Sequence, residues 1–365
     1  MKLLFGIKSL TVARGGGERV LSDLCSGLVN KNHEVFIVTF DNYEDQILFS
    51  ISDKVKVIKL AIGDPSHRTN LTDFINRIVG LRKVVKKIKP DIVIGFMSSI
   101  YIIFSFALIL TKYPLISSEH TVPEYYKKRR IEFALLILAG LLSKKITVLS
   151  SKVKQLFPKF LHSRMEVLPN PVTMIKKTED KVTTFNTILS IGRLEQLKDH
   201  ETLIRAFVMI HEKFPEWRLR IVGDGKLKNF LIALVKSYSI QKKVIFVGSI
   251  SNVEKEYEKA SFFVLPSLYE SFGLVTIEAM AFELPVIGFR DCDGTNELVI
   301  DNYNGLLVSG DNRIKSLSNG MEKLMSDQFL LDSLKANTKN TAKNFSIDNV
   351  LLKWERMFNL VIKEQ

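Results

Sequence analysis

The stretch Leu-Pro-Asn-Pro-Val at residues 168–172 decides how the chain is divided. Proline has no backbone N–H and restricts the residue before it, so two prolines around one asparagine cannot lie inside a helix or a central strand. We therefore predict a linker at this point. It separates a first domain over residues 1–168 from a second over residues 169–345, and residues 346–365 follow as a C-terminal helix.

Short apolar runs alternate with helical patterns on both sides of the linker. Before it, strands are predicted at Leu3–Ile7, Val35–Phe40, Asp91–Phe96, Leu115–Ser118 and Ile146–Leu149. After it, strands are predicted at Thr187–Ile191, Leu219–Val222, Val244–Val247, Phe262–Leu265, Pro285–Gly288 and Leu306–Val308. Helices are predicted between them, among others over Lys198–Lys213, Leu227–Tyr238 and Val275–Phe282. This rhythm indicates two α/β domains with doubly wound parallel sheets, and ligands of such sheets bind beyond the carboxyl ends of the strands.

The composition is that of a globular protein. Of 365 residues, 46% are hydrophobic and 25% are charged, which provides ample core for two domains. Cys25 and Cys292 are far apart, so neither a disulfide scaffold nor a zinc site is expected, and a reducing, cytoplasmic compartment fits. The apolar start at Met1–Ile7 runs into Lys8, which favours a first buried strand over a secretory leader.

The formal net charge is +13 and is concentrated in the first domain, where residues 121–165 hold ten lysines and arginines but two glutamates. Such a field attracts anions, which include nucleic acid, phospholipid headgroups and phosphorylated substrates. A solvated basic face is the plain alternative. Because no recognised nucleic-acid motif accompanies the charge, a nucleic-acid partner is not expected.

An apolar run at Ile131–Leu142 follows the basic residues Lys127, Lys128, Arg129 and Arg130. It has 12 residues, whereas a membrane-spanning helix needs about 20. The run therefore predicts either an interfacial helix at a membrane surface or a partly buried helix with basic flanks.

The first polar motif, Gly15-Gly16-Gly17-Glu18-Arg19, lies between the first predicted strand and the first predicted helix. Glycines there let a ligand approach the backbone, and a helix start favours an anion. The motif lacks the spacing of a Rossmann fingerprint and the Gly-Lys-Ser/Thr of a phosphate-binding loop. A tight structural turn explains it equally well.

The second motif runs from Gly192 to Asp199 and follows the first strand of the second domain. It places Arg193 and Lys198 in a loop and at a helix start, where free N–H groups point at a ligand. Two cations beside such groups suit a diphosphate, the arginine through its fork and the lysine as a point charge. The alternative is an ordinary surface loop.

The third motif runs from Glu270 to Glu278 and also follows a predicted strand. Glu270 lies in the loop and Glu278 on the helix that the loop opens, within one ligand's length of each other. Carboxylates accept hydrogen bonds from sugar hydroxyls, and the N–H groups of residues 272–275 suit phosphate. His120, which ends the Ser118-Glu119-His120 strand, is either a structural histidine or a residue that contacts substrate or handles a proton.

Together these segments resemble the retaining glycosyltransferases of family 4, which have the GT-B fold of two Rossmann-like domains facing a cleft. The resemblance covers nearly the whole chain. Its motifs are Gly16–Arg19, Ser118–His120, Pro169–Val172, Gly192–Leu194 with Lys198–Asp199, Val222–Gly225, Pro266–Ser267 with Glu270–Leu274 and Glu278–Ala279, and Asn304–Val308. It implies that the C-terminal helix, about Ile347–Lys363, crosses back onto the first domain.

The resemblance also assigns roles to residues. Gly16, Gly17 and Gly192 would lie beside the donor, with Arg193 and Lys198 neutralising the leaving diphosphate in place of a metal ion. Glu270 would contact the hydroxyls of the donor sugar and Glu278 those of the ribose. The loop residues Phe272, Gly273 and Leu274 would hold the distal phosphate with backbone N–H groups, and His120 would lie near the reacting centre. No metal or other cofactor is implied.

More narrowly, the chain looks like bacterial transferases that build lipid-linked glycans and surface polysaccharides. This implies a UDP-sugar donor, with glucose, galactose, N-acetylglucosamine and N-acetylgalactosamine all open. It also implies a lipid-diphosphate-linked glycan acceptor and peripheral attachment to the inner face of the cell membrane. Arg19 and residues 127–130 would then contact the acceptor or the membrane.

Two other classes of function fit the same architecture. A nucleotide-sugar epimerase would convert its donor without any acceptor. A non-catalytic subunit of a glycan-assembly complex would bind without turnover, but the presence of Arg193, Lys198 and Glu270 argues against it. A nucleotide-sugar transferase is therefore the function that the sequence favours.

Overall fold

The structure is a computed structural model that describes residues 1–12, 16–67, 69–126, 129–174, 186–250 and 252–364. Gly15 of the glycine motif and Lys127 and Lys128 of the basic cluster lie outside these described residues. The chain divides into two compact units, one of Met1–Pro171 with Ile347–Gln365 and one of Val172–Ser346. The first unit runs three residues beyond the predicted boundary at 168. The backbone N–H of Leu168 still bonds to the Val148 carbonyl at the end of β6.

The first unit is built on a seven-stranded parallel sheet in the order β3-β2-β1-β4-β5-β6-β7. Its strands are β1 Lys2–Gly6, β2 Glu34–Thr39, β3 Lys56–Lys59, β4 Ile92–Phe96, β5 Leu115–Ser118, β6 Lys145–Val148 and β7 Met165–Val167. Its first five helices are α1 Gly16–Asn30, α2 Leu71–Ile88, α3 Ser98–Ala107, α4 Arg130–Leu142 and α5 Ser151–Leu156.

The second unit is built on a six-stranded parallel sheet in the order β10-β9-β8-β11-β12-β13. Its strands are β8 Thr187–Ile191, β9 Arg218–Val222, β10 Val244–Gly248, β11 Phe262–Val264, β12 Val286–Phe289 and β13 Gly305–Val308. Its helices are α6 His200–Val208, α7 Lys228–Ser237, α8 Glu254–Glu258, α9 Leu274–Ala281, α10 Thr295–Leu298, α11 Arg313–Ser326 and α12 Gln328–Lys343. The predicted α/β class with two parallel, Rossmann-like sheets is therefore confirmed.

The strands form where the sequence is continuously apolar. All five residues of β4 are buried, as expected for a central strand covered by helices on both faces. Two strands were not predicted from the sequence, each for a different reason. β3 is a half-exposed edge strand that carries a lysine at each end, and β7 has three residues and directly follows a 3₁₀ turn.

The helix predicted over about Lys198–Lys213 is present but shorter at both ends, because α6 runs only from His200 to Val208. Gln196–Lys198 form a 3₁₀ turn, and Asp199 then adopts a left-handed conformation with φ 49° before α6 begins at His200. The Asp199 side chain accepts a hydrogen bond from the Thr202 backbone N–H and so caps α6. The break leaves Lys198 outside α6, at the end of the 3₁₀ turn.

The C-terminal helix α13, Ile347–Lys363, packs on the first unit. Trp354 meets Phe5 of β1 edge to face, with ring centroids 6.3 Å apart. Glu355 binds His33 at 3.2 Å. Among the described residues, no helix combines the length and the apolarity needed to cross a bilayer.

Candidate functional site

In the second unit, the loop after β8 lies against the loop after β9. The backbone N–H of Gly192 donates to Val222 at 3.0 Å, and that of Leu194 donates to Asp224 at 2.9 Å. Gly223 adopts φ 134°, and a Cβ there would lie 2.1 Å from the Gly192 carbonyl oxygen. The Gly192 loop therefore packs so closely on residue 223 that a side chain at that position would collide with it.

Lys198 and Glu270, 72 residues apart in sequence, meet in an ion pair. Lys198 Nζ donates to Glu270 Oε1 at 2.5 Å, and the side chains are 23% and 10% exposed. Ser267 Oγ donates to the same oxygen at 2.8 Å. The backbone N–H of Leu268 joins the two loops directly, through a 2.9 Å bond to Leu197. Two predicted site residues are therefore brought together with their charges largely shielded from water.

Helix α9 begins immediately after this pair. Gly273 is its N-cap and has φ 76°, a left-handed conformation that glycine adopts without strain. The first N–H groups of a helix have no partner within it, so Leu274 and its neighbours present donors and the positive end of the helix dipole. Thr276 Oγ1 is buried here and has no hydrogen-bond partner among the described residues. The side chain of Phe272 is buried against Phe345, so Phe272 can offer a ligand only its backbone.

Two of the predicted donor residues, Glu278 and Arg193, have partners other than Lys198 and Glu270. Glu278 lies one turn into α9, where the Tyr257 hydroxyl donates to its Oε2 at 3.0 Å. Arg193 is 62% exposed and pairs with Glu195 at 3.0 Å. An exposed pair of this kind is weak and exchanges readily for another anion. The guanidinium of Arg193 is thus available to a phosphate.

In the first unit, the Ser118-Glu119-His120 segment ends β5 in a hydrogen-bonded network. Ser118 Oγ lies 3.0 Å from His120 Nε2 and accepts a bond from Thr147 Oγ1 at 2.8 Å. The His120 ring also packs on Phe96, with centroids 4.1 Å apart. Burial lowers the pKa of the His120 imidazole to about 3, so the ring is neutral near pH 7. The neutral ring has one donor and one acceptor nitrogen, and with Nε2 bonded to Ser118 it has Nδ1 left for one further hydrogen bond.

Glu119 was predicted as part of the motif but without a role, and it is a buried carboxyl with three hydrogen-bond donors around it. Its oxygens accept bonds from the Tyr101 hydroxyl at 2.5 Å and from the backbone N–H groups of His120 and Thr121 at 2.9 and 2.7 Å. Burial raises the pKa of the Glu119 carboxyl to about 7, and these bonds oppose the rise. Glu119 fixes the backbone that carries His120.

We predict that Glu119→Gln removes a pH dependence from folding stability. A carboxyl with a raised folded-state pKa contributes stability below its unfolded value of 4.5 and loses it as pH rises through about 7. Relative to the variant, the wild type should therefore lose about 3 kcal/mol between about pH 4 and pH 8. The amide keeps the shape and can still bond to Tyr101 and to both N–H groups.

Urea unfolding followed by Trp354 fluorescence, in a Trp217→Phe background, isolates the first unit. As a comparison within the same unit, Glu34→Gln removes an exposed carboxyl whose pKa the hydrogen bond from Lys56 lowers, so its difference from wild type should have the opposite sign. A Glu119→Gln curve parallel to the wild-type curve across this pH range would show that the carboxyl is not perturbed.

The remaining predicted residues lie at the start of α1 and at the start of α4. Gly16 and Gly17 are the first residues of α1, and Arg19 is an exposed residue of the same helix, 3.9 Å from Asp23. Arg129 precedes α4, where it bonds to Glu132 at 3.2 Å and lies over the Tyr125 ring. Arg130 is exposed at the first position of α4.

Two anchoring residues were not predicted from the sequence. Buried Asp41 accepts bonds from Ser9 Oγ, the Leu10 N–H and Thr11 Oγ1 at 2.5 to 2.8 Å, and so fixes the loop after β1. Arg313 binds three loops of the second unit. Both are single polar residues without a motif around them. Across the described ranges, no three His, Cys, Asp or Glu side chains form a group that could hold a metal ion.

Comparison with known proteins places the chain among glycosyltransferases. The model named Glycosyltransferase Family 4 matches residues 14–174, and the model named Glycosyl transferases group 1 matches residues 172–344. The chain is 31% identical over 362 residues, 98% of each protein, to a Campylobacter jejuni enzyme. That enzyme is the GalNAc-alpha-(1->4)-GalNAc-alpha-(1->3)-diNAcBac-PP-undecaprenol alpha-1,4-N-acetyl-D-galactosaminyltransferase.

A second relative from the same bacterium is 28% identical and aligns over 93% of this chain and 95% of its own length. It is the N-acetylgalactosamine-N,N'-diacetylbacillosaminyl-diphospho-undecaprenol 4-alpha-N-acetylgalactosaminyltransferase.

Solved structures show the same fold at low identity. Sucrose-phosphate synthase from Thermosynechococcus elongatus superimposes with a TM-score of 0.86 at 18% identity, over all of both chains. Anabaena Alr3699/HepE, solved in complex with UDP-glucose, gives 0.78 at 17% identity over 98% of this chain and 99% of its own. The resemblance drawn from the sequence motifs is thus confirmed, and the chain belongs to the family 4 glycosyltransferases with the GT-B fold.

Proposed function

We propose that the chain transfers a hexose or N-acetylhexosamine from a UDP-sugar to a lipid-diphosphate-linked glycan, with retention of configuration and without a metal ion. The observation that carries the proposal is the Lys198–Glu270 pair beside the N-terminus of α9 in the second unit. The two Campylobacter relatives, named for transfer to diphospho-undecaprenol glycans, support the acceptor class. The Anabaena structure with UDP-glucose supports the donor class.

The pair suits a donor that carries a diphosphate at one end and sugar hydroxyls at the other. When a diphosphate arrives, Lys198 can turn from Glu270 to the phosphate oxygens, and the first N–H groups of α9 bind the same charge. Glu270 is then left to accept hydrogen bonds from the sugar hydroxyls, with Ser267 holding it in place. Arg193 exchanges Glu195 for phosphate, and Glu278 accepts from the ribose.

The transfer breaks the bond between the anomeric carbon and the distal phosphate oxygen, and it forms a bond from that carbon to an acceptor hydroxyl oxygen on the same face. The hydroxyl proton passes to the departing phosphate, so no enzyme nucleophile is required. Fixed cations and helix N–H groups stabilise the charge that develops on the leaving diphosphate. Neutral His120 contributes a hydrogen bond to a substrate hydroxyl and no charge.

Donor consumption tests the proposal. Purified protein is incubated with UDP-, GDP- and ADP-sugars and an undecaprenyl-diphosphate-linked glycan, with and without EDTA, and nucleotide release is measured. We expect release of UDP from one UDP-sugar, unaffected by EDTA and dependent on the acceptor. Conversion of the sugar without acceptor would indicate an epimerase, and binding without turnover would indicate a non-catalytic subunit.

For the membrane, we propose that α4 lies on an anionic bilayer. After Arg130, its exposed large side chains are apolar and follow helical spacing, at Ile131, Leu138, Leu141 and Leu142. Arg129 and Arg130 stand at the N-terminal end of this stripe, where they can reach lipid phosphates. An amphipathic helix with basic flanks binds at such an interface with its apolar face among the acyl chains.

The double substitution Leu138→Gln/Leu141→Gln should lower binding to vesicles that contain phosphatidylglycerol by about tenfold or more, since two half-exposed leucines no longer enter the bilayer. A matched control is Leu352→Gln/Leu360→Gln on α13, where the leucines are 46% and 45% exposed against 41% and 45% on α4. Cosedimentation measures both. Equal losses in the two doubles would show that α4 is not the membrane contact.

A further inference from the structure

Arg313, the first residue of α11, uses every hydrogen-bond donor of its guanidinium. Nε donates to Asp199 Oδ2 at 3.3 Å, and Nη1 donates to both carboxylate oxygens of Asp291 at 3.1 and 3.2 Å. Nη2 donates to the carbonyls of Pro266 and Ser267 at 2.8 and 3.0 Å. The five N–H groups thus meet five acceptors.

The surroundings hold this guanidinium in one place. It lies over the Phe289 ring at 3.6 Å from the centroid, and the side chain is 16% exposed. A planar fork between an aromatic face and fixed acceptors has little freedom, and a lysine could not reproduce its geometry. Because all its donors are used within the protein, Arg313 has none left for a substrate.

The acceptors belong to three loops that leave adjacent strands of the second sheet. Asp199 follows β8, Pro266 and Ser267 follow β11, and Asp291 follows β12. One side chain therefore ties together the carboxyl ends of three neighbouring parallel strands. In a sheet of this kind, ligands bind at that edge.

Two of the three loops carry the Lys198–Glu270 pair. Asp199 is the residue after Lys198, and its carboxylate both caps α6 and accepts from Arg313. Ser267 gives its carbonyl to Arg313 and its hydroxyl to Glu270. Arg313 therefore bonds to the residue next to Lys198 in one loop, and in the other it is linked to Glu270 by two hydrogen bonds that share Ser267.

We propose that Arg313 is a positioning residue for nucleotide-sugar binding and transfer, which acts by fixing the distance between the loops of Lys198 and Glu270. This inference rests on the proposed function, because it assigns Arg313 a part in the same donor site. Without the guanidinium, Asp199 and Asp291 lose their shared cation and the three loops separate. Lys198 then no longer meets the diphosphate in the orientation that transfer requires.

The test is a double-mutant cycle on UDP affinity, measured by calorimetry on the full chain. Arg313→Ala should weaken UDP binding by about tenfold, and Lys198→Met should weaken it by at least as much. The double variant should bind no more weakly than Lys198→Met alone, because Arg313 acts through Lys198. Additive losses, or an Arg313→Ala protein with wild-type affinity, would overturn the proposal.

Two further variants separate positioning from folding and from charge. Arg313→Lys keeps the positive charge and most of the side-chain length but loses the fork, so it should resemble Arg313→Ala in UDP affinity while melting close to wild type. Full affinity in Arg313→Lys would show that charge alone matters.

Arg205→Ala, at a hydrogen-bonded arginine on α6 that touches neither loop, should leave UDP affinity unchanged. If the wild type itself binds no UDP, the proposed function fails rather than this inference.

Discussion

Replacement of Lys198 by methionine is expected to reduce sugar transfer by about a hundredfold to a thousandfold, the range typical of removing one donor that stabilises negative charge developing in a transition state. Methionine keeps the length and the apolar stem of lysine but loses the charge. The loss should fall mainly on turnover, because the negative charge on the diphosphate is greatest as the bond to the sugar breaks. Initial rates at saturating donor and acceptor measure the effect.

Lys228→Met provides the matched control for this substitution. Lys228 forms an ion pair of the same length, 2.5 Å, with Asp224 in the same unit, but its side chain is 37% exposed against 23% for Lys198. An exposed pair contributes little, so activity and melting temperature should both stay near the wild-type values. Equal activity in Lys198→Met and Lys228→Met would remove the chemical basis of the proposed site.

Gly223→Ala is expected to abolish activity and to destabilise the second unit by about 2 to 4 kcal/mol. The new methyl group would lie 2.1 Å from the Gly192 carbonyl, an unyielding backbone atom, and φ 134° is unfavourable for any L side chain. The Gly192 loop must then move away, and Lys198 moves with it. Urea unfolding and donor consumption measure the two effects.

Gly248→Ala separates the clash from the backbone strain. Gly248 also has a positive φ, 81°, but a Cβ there meets no atom within 4 Å. Its alanine variant should lose about 1 to 2 kcal/mol, the cost of the left-handed conformation alone, and should keep its activity. If Gly223→Ala proves no worse than Gly248→Ala, the close packing of the two loops is not needed for the site.

The fold was largely predictable because apolar runs of four to six residues mark buried parallel strands whatever their tertiary context. The misses arose where this signal is weak. β3 is half exposed, β7 is short, and the predicted helix over Lys198–Lys213 ignored the left-handed break at Asp199. A left-handed aspartate has no signature in a single sequence, because its conformation depends on the loops it contacts.

Only part of the site was predictable, because the residues that form it are far apart in the sequence. Lys198 and Glu270 lie in separate motifs, and the resemblance to a known family placed both at the donor before the structure showed their contact. Arg313 and Asp41 stand alone between ordinary polar neighbours. Their importance comes from the loops that they join, and a pattern of neighbouring residues carries no information about such contacts.

For α4 the helix itself was predictable, but its environment was not. The apolar run at Ile131–Leu142 predicted a helix with two possible environments, and the structure buries Leu136, Ala139 and Gly140 while leaving the other face open. Partial burial and an interfacial role are compatible on one helix. Composition could not separate them, because both require apolar residues at helical spacing.

The most direct test of the proposed reaction is the structure of its product. A lipid-diphosphate-linked glycan is incubated with the donor that supports UDP release, and the recovered glycolipid is characterised by mass spectrometry and by the NMR coupling of its new anomeric proton. We predict a mass increase of one hexose or N-acetylhexosamine per addition, in the anomeric configuration of the donor, and none with Lys198→Met. A product of inverted configuration, or UDP release with no change in the acceptor, would contradict the proposed retaining transfer.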